Sequence, residues 1–201
     1  YNPLTSEEEE NIISLKVNTQ RMWQHINPIL SDIQALPECI ETLTMTDDLQ
    51  SGNHFMRTYK KADQSEVMIT VAEGATSYFK FLKIPLQGKE VNGDAEGTVY
   101  VSEAFRLQLD KDNVQDRVEI EGQSYRIIGT FKELYKETQG RGTIGSVFFP
   151  SNHFRYFYVK LAPGTNATKS IRRITNICRN YVPTTLPLEI RSLSDNKQTM
   201  M

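Results

Sequence analysis

Three histidines, two cysteines and one glycine-rich stretch are the residues of this 201-residue chain with the plainest capacity for chemistry. His25, His54 and His153 are scattered, and none stands in H-E-x-x-H or beside a cysteine at metal-ligand spacing. Each reads as a surface or partly buried ring rather than a general base. No serine occupies a G-x-S-x-G elbow. Cys39 and Cys178 are too few for a disulfide scaffold and read as small apolar side chains; a single disulfide between them stays open for an oxidising compartment. Gly140 to Gly145 spells G-x-G-x-x-G, but a polar segment precedes it and a β-rich run follows. A dinucleotide site needs a strand before and a helix after, so that the helix N-terminus meets the pyrophosphate. Asp110, Asp112 and Glu121 fall at positions 1, 3 and 12 of a calcium loop, yet Gln115 stands where that loop needs glycine. Asn166-Ala167-Thr168 fits the N-glycosylation pattern, which matters only in a eukaryotic secreted context. The residue types therefore assign no catalytic residue, no cofactor-binding residue, no cofactor and no metal ligand.

The elements that would position such groups read as α+β. Residues 5–26 carry a helical stripe of Ile12, Leu15, Thr19, Met22, Trp23 and Ile26, opened by a capping box of Thr5 or Ser6 with Glu8 or Glu9. Asn27-Pro28 starts a second helix that Pro37 ends, and Ile40 to Met45 alternates as a strand. After a polar loop, 47–53, come strands at 54–60 and 66–72, then a short helix bearing Tyr78, Phe79, Phe81 and Leu82. A polar linker, 90–96, suggests a subdomain boundary. The central stretch, 97–131, reads as a strand, a helix capped by Ser102, and a hairpin turning at the Glu121-Gly122-Gln123 corner. Residues 132–142 look like a mobile polar loop or one helical turn. Strands follow at 146–149 and 156–161, a clean amphipathic helix capped at Thr165 or Asn166, and a last strand at 188–193. The aromatic run from Phe148 to Tyr158 has only Arg155 as a base and reads as core rather than a nucleobase platform.

The net charge of −2 argues against a nucleic-acid partner, and 38% hydrophobic residues supply a sizeable core. No apolar run approaches the roughly 18 residues that span a bilayer. The chain starts at Tyr1 without an initiator methionine and reads as a piece of something longer, or a processed form.

Taken in order, several pieces resemble the extracytoplasmic core domain of MacB/FtsX-type ABC transporter permeases. Residues 31–41 resemble that family's first helix-to-strand passage. Residues 77–89, from Ser77 to Lys89, resemble its YF…G-PLL-GR element, with Lys89 in place of the usual arginine. Val99 to Ala104 resembles its VVLNEA strand–helix start, and Gly122 to Phe131 its G..Y.VVGV strand. Val147 to Pro150 and Val159 to Gly164 are similar to its V-x-x-P and V-R-L-x-P-G pieces. The G-x-x-I/V-G-K passage is replaced by Asp110 to Arg117.

The resemblance implies two subdomains: a membrane-proximal β-α-β lobe from both chain ends, 1–87 and 152–201, and an inserted β-rich lobe, 88–151. It implies strands near Ile40 and Tyr158 in one sheet, a long N-terminal helix continuing a membrane span, and residues 195–201 leading back to the membrane. By the same resemblance the domain has no chemistry of its own. A cytoplasmic ABC ATPase would drive it through the membrane helices of a dimer of permeases, toward a periplasmic adaptor or a lipoprotein or peptide substrate. A ligand-binding or sensing domain that uses a cleft between the subdomains, lined by Tyr78 to Leu82, is the alternative, and a hydrolase would require carboxylates or histidines to converge.

Overall fold

The computed structural model describes residues 1–50, 55–91, 96–137, 142–195 and, for the backbone, 199–200. The chain is α+β, as the sequence predicts. It divides into two compact units, one of Leu4–Thr44 with Arg155–Met201, the other of Tyr1–Pro3 with Met45–Phe154.

The unit of the chain ends contains α1 (Ser6–Glu10), β1 (Ile12–Lys16), α2 (Gln20–Gln24), α3 (Ile26–Gln34), β2 (Cys39–Met45), β10 (Tyr156–Leu161), α6 (Ala167–Arg179), β11 (Glu189–Ser192) and β12 (Thr199–Met200). Its strand order is β12-β11-β1-β10-β2. The strands near Ile40 and Tyr158 are thus neighbours, as expected. Two β-α-β units interleave, with β1 antiparallel to both β10 and β11, which is the order of a split β-α-β plait. α3 buries Ile29 and Ile33, and α6 buries Ile171, Ile174 and Cys178. The Asn166 side chain caps α6 by accepting from the Lys169 N–H at 3.1 Å.

The predicted helix over 5–26 is mostly something else. Its capping box is present, with Thr5 Oγ1 accepting from the Glu8 N–H and Glu8 Oε1 from the Thr5 N–H. The helix stops at Glu10, and Ile12 to Lys16 become the central strand. Ile12, Ile13, Ser14 and Leu15 are all buried, and four consecutive buried residues cannot share one face of a helix. A strand covered on both faces reads as a continuous apolar run, and its hydrophobics fell into helical spacing with those of α2 by coincidence. Among the described residues, 5–26 thus hold the short helices α1 and α2 and the strand β1 in place of one long helix. Residues 199–200 pair with β11, so they extend the sheet.

The inserted unit contains β3 (Phe55–Lys60), β4 (Glu66–Gly74), α4 (Tyr78–Phe81), β5 (Leu86–Gly88), β6 (Thr98–Ser102), α5 (Glu103–Lys111), β7 (Arg117–Ile120), β8 (Gln123–Phe131) and β9 (Thr143–Pro150). It begins at Met45, not at residue 88, and ends at Phe154 rather than 151. Long-range hydrogen bonding decides this. β4 lies parallel to β9, from Met68↔Thr143 to Gly74↔Pro150, so the β3–β4 hairpin joins the inserted sheet. The polar linker at 90–96 is an excursion within that unit, and its residues 92–95 lie outside the described ones.

Around β9 the order runs β3-β4-β9-β6-β8-β7, with β5 sharing the far half of β8. One face packs Val99, Val101, Val147 and Phe149 around Phe105 and Leu109 of α5. The other face packs aromatics. Phe79 of α4 sits 4.9 Å from Phe148, 5.1 Å from Tyr100 and 5.3 Å from Phe131 between ring centroids. In the supposedly mobile segment after Phe131, Leu134 and Tyr135 are buried, and the Tyr135 N–H donates to the Tyr78 hydroxyl at 2.8 Å. Residues 138–141 of that segment lie outside the described ones.

Ile13→Ala should lower the unfolding free energy by about 2–4 kcal/mol, as expected for a buried large-to-small change. Leu107→Ala, on the exposed side of α5, should shift it by less than about 0.5 kcal/mol. Urea unfolding of the two variants checks both. A loss at Ile13 as small as at Leu107 would put residues 12–16 back on a surface helix.

Candidate functional site

The inserted sheet curls on itself and leaves cavities along the curl. Tyr59 of β3 and Val118 and Ile120 of β7 belong to opposite ends of the strand order, yet they are buried in one apolar cluster. The sheet therefore wraps around Phe105 and Leu109 until β3 and β7 face each other. They do not pair: β3 bonds only β4 and β7 only β8 among the described strands. The link across the gap is a side chain, with Glu121 Oε1 accepting from the Thr58 N–H at 2.9 Å.

Glu121 can do this because of its turn. Glu121 and Gly122 have φ of 48° and 82°, the two positive angles of a two-residue hairpin connecting β7 to β8. That conformation carries the Glu121 carboxylate sideways to β3. On either side of the bond lies a cavity. One, of about 710 Å³, is lined by Asp47, Phe55, Arg57, Glu73 and Glu121 among others. The other, of about 570 Å³, runs past Tyr59, Lys60, Asp112 and Glu119. Phe55 and Met56 stand 68% and 54% exposed at the open end. Arg57 is laid over the Phe149 ring, 4.9 Å from its centroid.

Asp47 is the perturbed acid here. Burial pushes its carboxyl up to about 6; the Glu73 N–H, donating to Oδ2 at 2.7 Å, works the other way, and the Glu73 carboxylate adds to the rise. Such an acid could exchange protons near neutral pH, but it has no activated nucleophile beside it in sequence. The Thr46 hydroxyl donates to the His153 carbonyl at 2.5 Å. Asp112 is a buttress. It accepts from the Tyr59 hydroxyl at 2.7 Å, the Ala62 N–H at 3.1 Å and Gln108 Nε2 at 3.1 Å.

The groups weighed in the sequence are kept apart. His25 stacks on Tyr181 in the unit of the chain ends, and His153 is exposed in the other; His54 lies outside the described residues. Cys39 and Cys178 are both free. Burial raises both thiols, Cys178 to about 12, which makes them inert small side chains. Asp110 pairs with Arg106 while Asp112 and Glu121 serve the contacts above, so the calcium-loop spacing brings no ligands together. Gly140 and Arg141 lie outside the described residues, and Thr143 to Pro150 is a strand, as the rejection of a dinucleotide motif requires. Tyr78, Phe79, Phe81 and Leu82 are buried in packing. Among the described residues no three His, Cys, Asp or Glu side chains converge to hold a metal ion. Asp47 and Glu73 were missed by the sequence reading, because neither stands in a motif.

Residues 4–177 match the family described as the MacB-like periplasmic core domain. The fold resembles the periplasmic region of MacB from Actinobacillus actinomycetemcomitans, with a TM-score of 0.58 at 11% identity over 93% of this chain and 91% of that one. It also resembles the extracellular domain of the noncanonic ABC-type transporter YknZ from Gram-positive bacteria, with a TM-score of 0.54 at 13% identity over 85% of this chain and 94% of that one. No curated protein matches the sequence significantly.

The raised Asp47 carboxyl has a signed consequence. Between about pH 4 and 6 the folded chain keeps a proton that the unfolded chain has lost, so this group lowers stability as pH rises through that window. Asp47→Asn still accepts from Glu73 and lacks the penalty. Its stability relative to the parent should therefore rise by about 1–2 kcal/mol between pH 4 and 7, a value discounted for partial exposure. Denaturant titrations at both pH values measure it; parallel pH profiles would show that Asp47 ionises normally.

Proposed function

This chain belongs to the MacB-like periplasmic core domain family, extracytoplasmic domains of ABC transporter permeases, and on that premise we propose that it works as a non-catalytic transmitter of ATP-driven motion. ATP would be hydrolysed by a cytoplasmic ABC ATPase, and the membrane helices of the permease would carry the movement outward. The unit built from the chain ends would be the membrane-proximal one, and the inserted unit would act on a periplasmic adaptor or on a lipoprotein or peptide substrate. A second permease copy would complete the assembly.

The observation that carries this reading is the division of the chain. Each unit has its own strands, helices and buried side chains, and the backbone passes between them at 3/4, 44/45 and 154/155. Close-packed cores move as bodies, and few chain crossings localise the change in dihedral angles. The chemistry fits as well. Carboxylates and hydroxyls in the inserted unit are engaged in holding strands and turns, as with Asp112 and Thr46.

Labels on the two units test this in the full-length permease reconstituted with its ATPase. Leu107→Cys and Arg172→Cys place dyes on exposed helix positions, one per unit. Cys39→Ser removes the half-exposed thiol, and buried Cys178 does not react. The distance between dyes should change between the nucleotide-free and vanadate-trapped states. An unchanged distance during sustained ATP hydrolysis and transport would sink the proposal.

A further inference from the structure

We propose that the outward face of α6 docks on the phosphate headgroups of anionic lipid. The proposal rests on the reading that the unit of the chain ends is the membrane-proximal one.

The sequence of α6 puts its charge on one side. At 3.6 residues per turn, Lys169, Arg172, Arg173, Asn176, Arg179 and Asn180 fall within one stripe about 120° wide. Ile171, Ile174 and Cys178 lie on the opposite side and are buried. The stripe is exposed except at Arg179, which is half-buried, and it runs about 16 Å along the helix. α6 carries four cations and no carboxylate. α5, the long helix of the inserted unit, instead mixes signs and pairs Arg106 with Asp110 at 2.9 Å.

Helix stability does not account for the stripe. Lys169 stands in the first turn, where the helix dipole disfavours a cation, and that turn holds no acid. Lys169 and Arg173 are four residues apart, a spacing at which like charges destabilise a helix. The fold relieves this at one point, where Arg173 reaches Glu38 at 2.8 Å. Arg179 donates to the carbonyls of Pro183 and Leu186 and keeps its charge. Lys169 and Arg172 make no ion pair among the described residues. Asp32 approaches only past the C-terminal end, accepting from the Tyr181 hydroxyl at 3.1 Å, and there Arg21 offsets it by donating to the Tyr181 carbonyl at 3.4 Å.

Cations and amides without an apolar side chain suit a plane of phosphates, on which the helix adsorbs at headgroup depth without inserting. The family's domains are extracytoplasmic parts of membrane permeases, so a lipid surface is the neighbour that every copy has. The whole chain carries a charge of −2, so its attraction to an anionic surface has to come from a local patch.

Cosedimentation of the 201-residue chain with vesicles of pure phosphatidylglycerol tests the docking. At about 10 mM salt, where charges act over about 30 Å, the chain should bind these vesicles and not phosphatidylcholine ones. Lys169→Glu with Arg172→Glu should weaken binding at least tenfold, since each cation at an anionic surface is worth roughly fivefold. Lys60→Glu with Lys111→Glu makes the same change in net charge on the inserted unit and should leave binding within twofold. If the α6 pair melts the helix by circular dichroism, Arg172→Gln alone, expected to cost about fivefold, decides. Equal losses from the two pairs, or no binding to phosphatidylglycerol, would overturn the proposal. Release by glycerol phosphate at matched ionic strength would assign the stripe to a lone phosphate, and tighter binding of hexaglutamate than of vesicles would assign it to an acidic protein; either overturns it. In the reconstituted permease, a dye on Asn176→Cys in the Cys39→Ser background should be quenched by nitroxide-headgroup lipid more than a dye on Leu107→Cys. Vesicle binding without that quenching would refute the membrane-proximal reading and with it docking in the permease. Quenching without vesicle binding would keep that reading and overturn the docking alone.

Discussion

One buried hydroxyl ties the inserted unit together. Ser102 Oγ accepts from the Phe105 N–H at 3.1 Å and from the Ser146 N–H at 2.9 Å. It ends β6, caps α5 and fixes β9 beside them, and a buried amide left without that acceptor would cost about 1–3 kcal/mol. The approach is close enough to dictate the neighbouring residue. A Cβ at Gly145 would come within 2.6–2.8 Å of Phe105 backbone atoms, so β9 can pass the start of α5 only without a side chain there. With this junction set, Phe105 and Leu109 point into the curl of the sheet, and β3 and β7 are drawn around them.

The unit of the chain ends solves a different problem. Its central strand, β1, must be bonded on both edges and covered on both faces, and β10 and β11 arrive from the far end of the sequence to do this. The sheet therefore cannot form until the inserted unit has been spanned. A domain interrupted between its second and third core strands keeps its own packing while carrying another packed body, which is the arrangement that a mechanical role needs.

In the inserted unit, polar side chains serve the backbone more than they serve each other. Asp47 accepts from Glu73, Asp112 from Ala62, and Glu121 from Thr58. Carboxylates used this way stand at the margins of strands, where the ladder runs out of partners. The excess of negative charge along the β3–β7 gap is a by-product of that use, and it gives the gap a sign.

Local features were legible in the sequence because they depend on chain neighbours. Ser102 and Asn166 cap helices that begin one residue later, and Glu121-Gly122 turns the hairpin its flanking alternation announced. The ordered pieces around Tyr78, Val99 and Val159 also carried the family. What lies across space was not legible. Residues 12–16 have a spacing that suits a helix, and only burial on both faces between β10 and β11 makes them a strand. The boundary at Met45 rests on β4 lying along β9, some seventy residues distant, and no composition shift marks it. Asp47 looks like any loop aspartate until folding buries it beside Glu73. Propensity, capping and turn chemistry are properties of a few adjacent residues; strand order, the curl of the sheet and the field at a carboxylate are sums over partners that only the tertiary fold brings together.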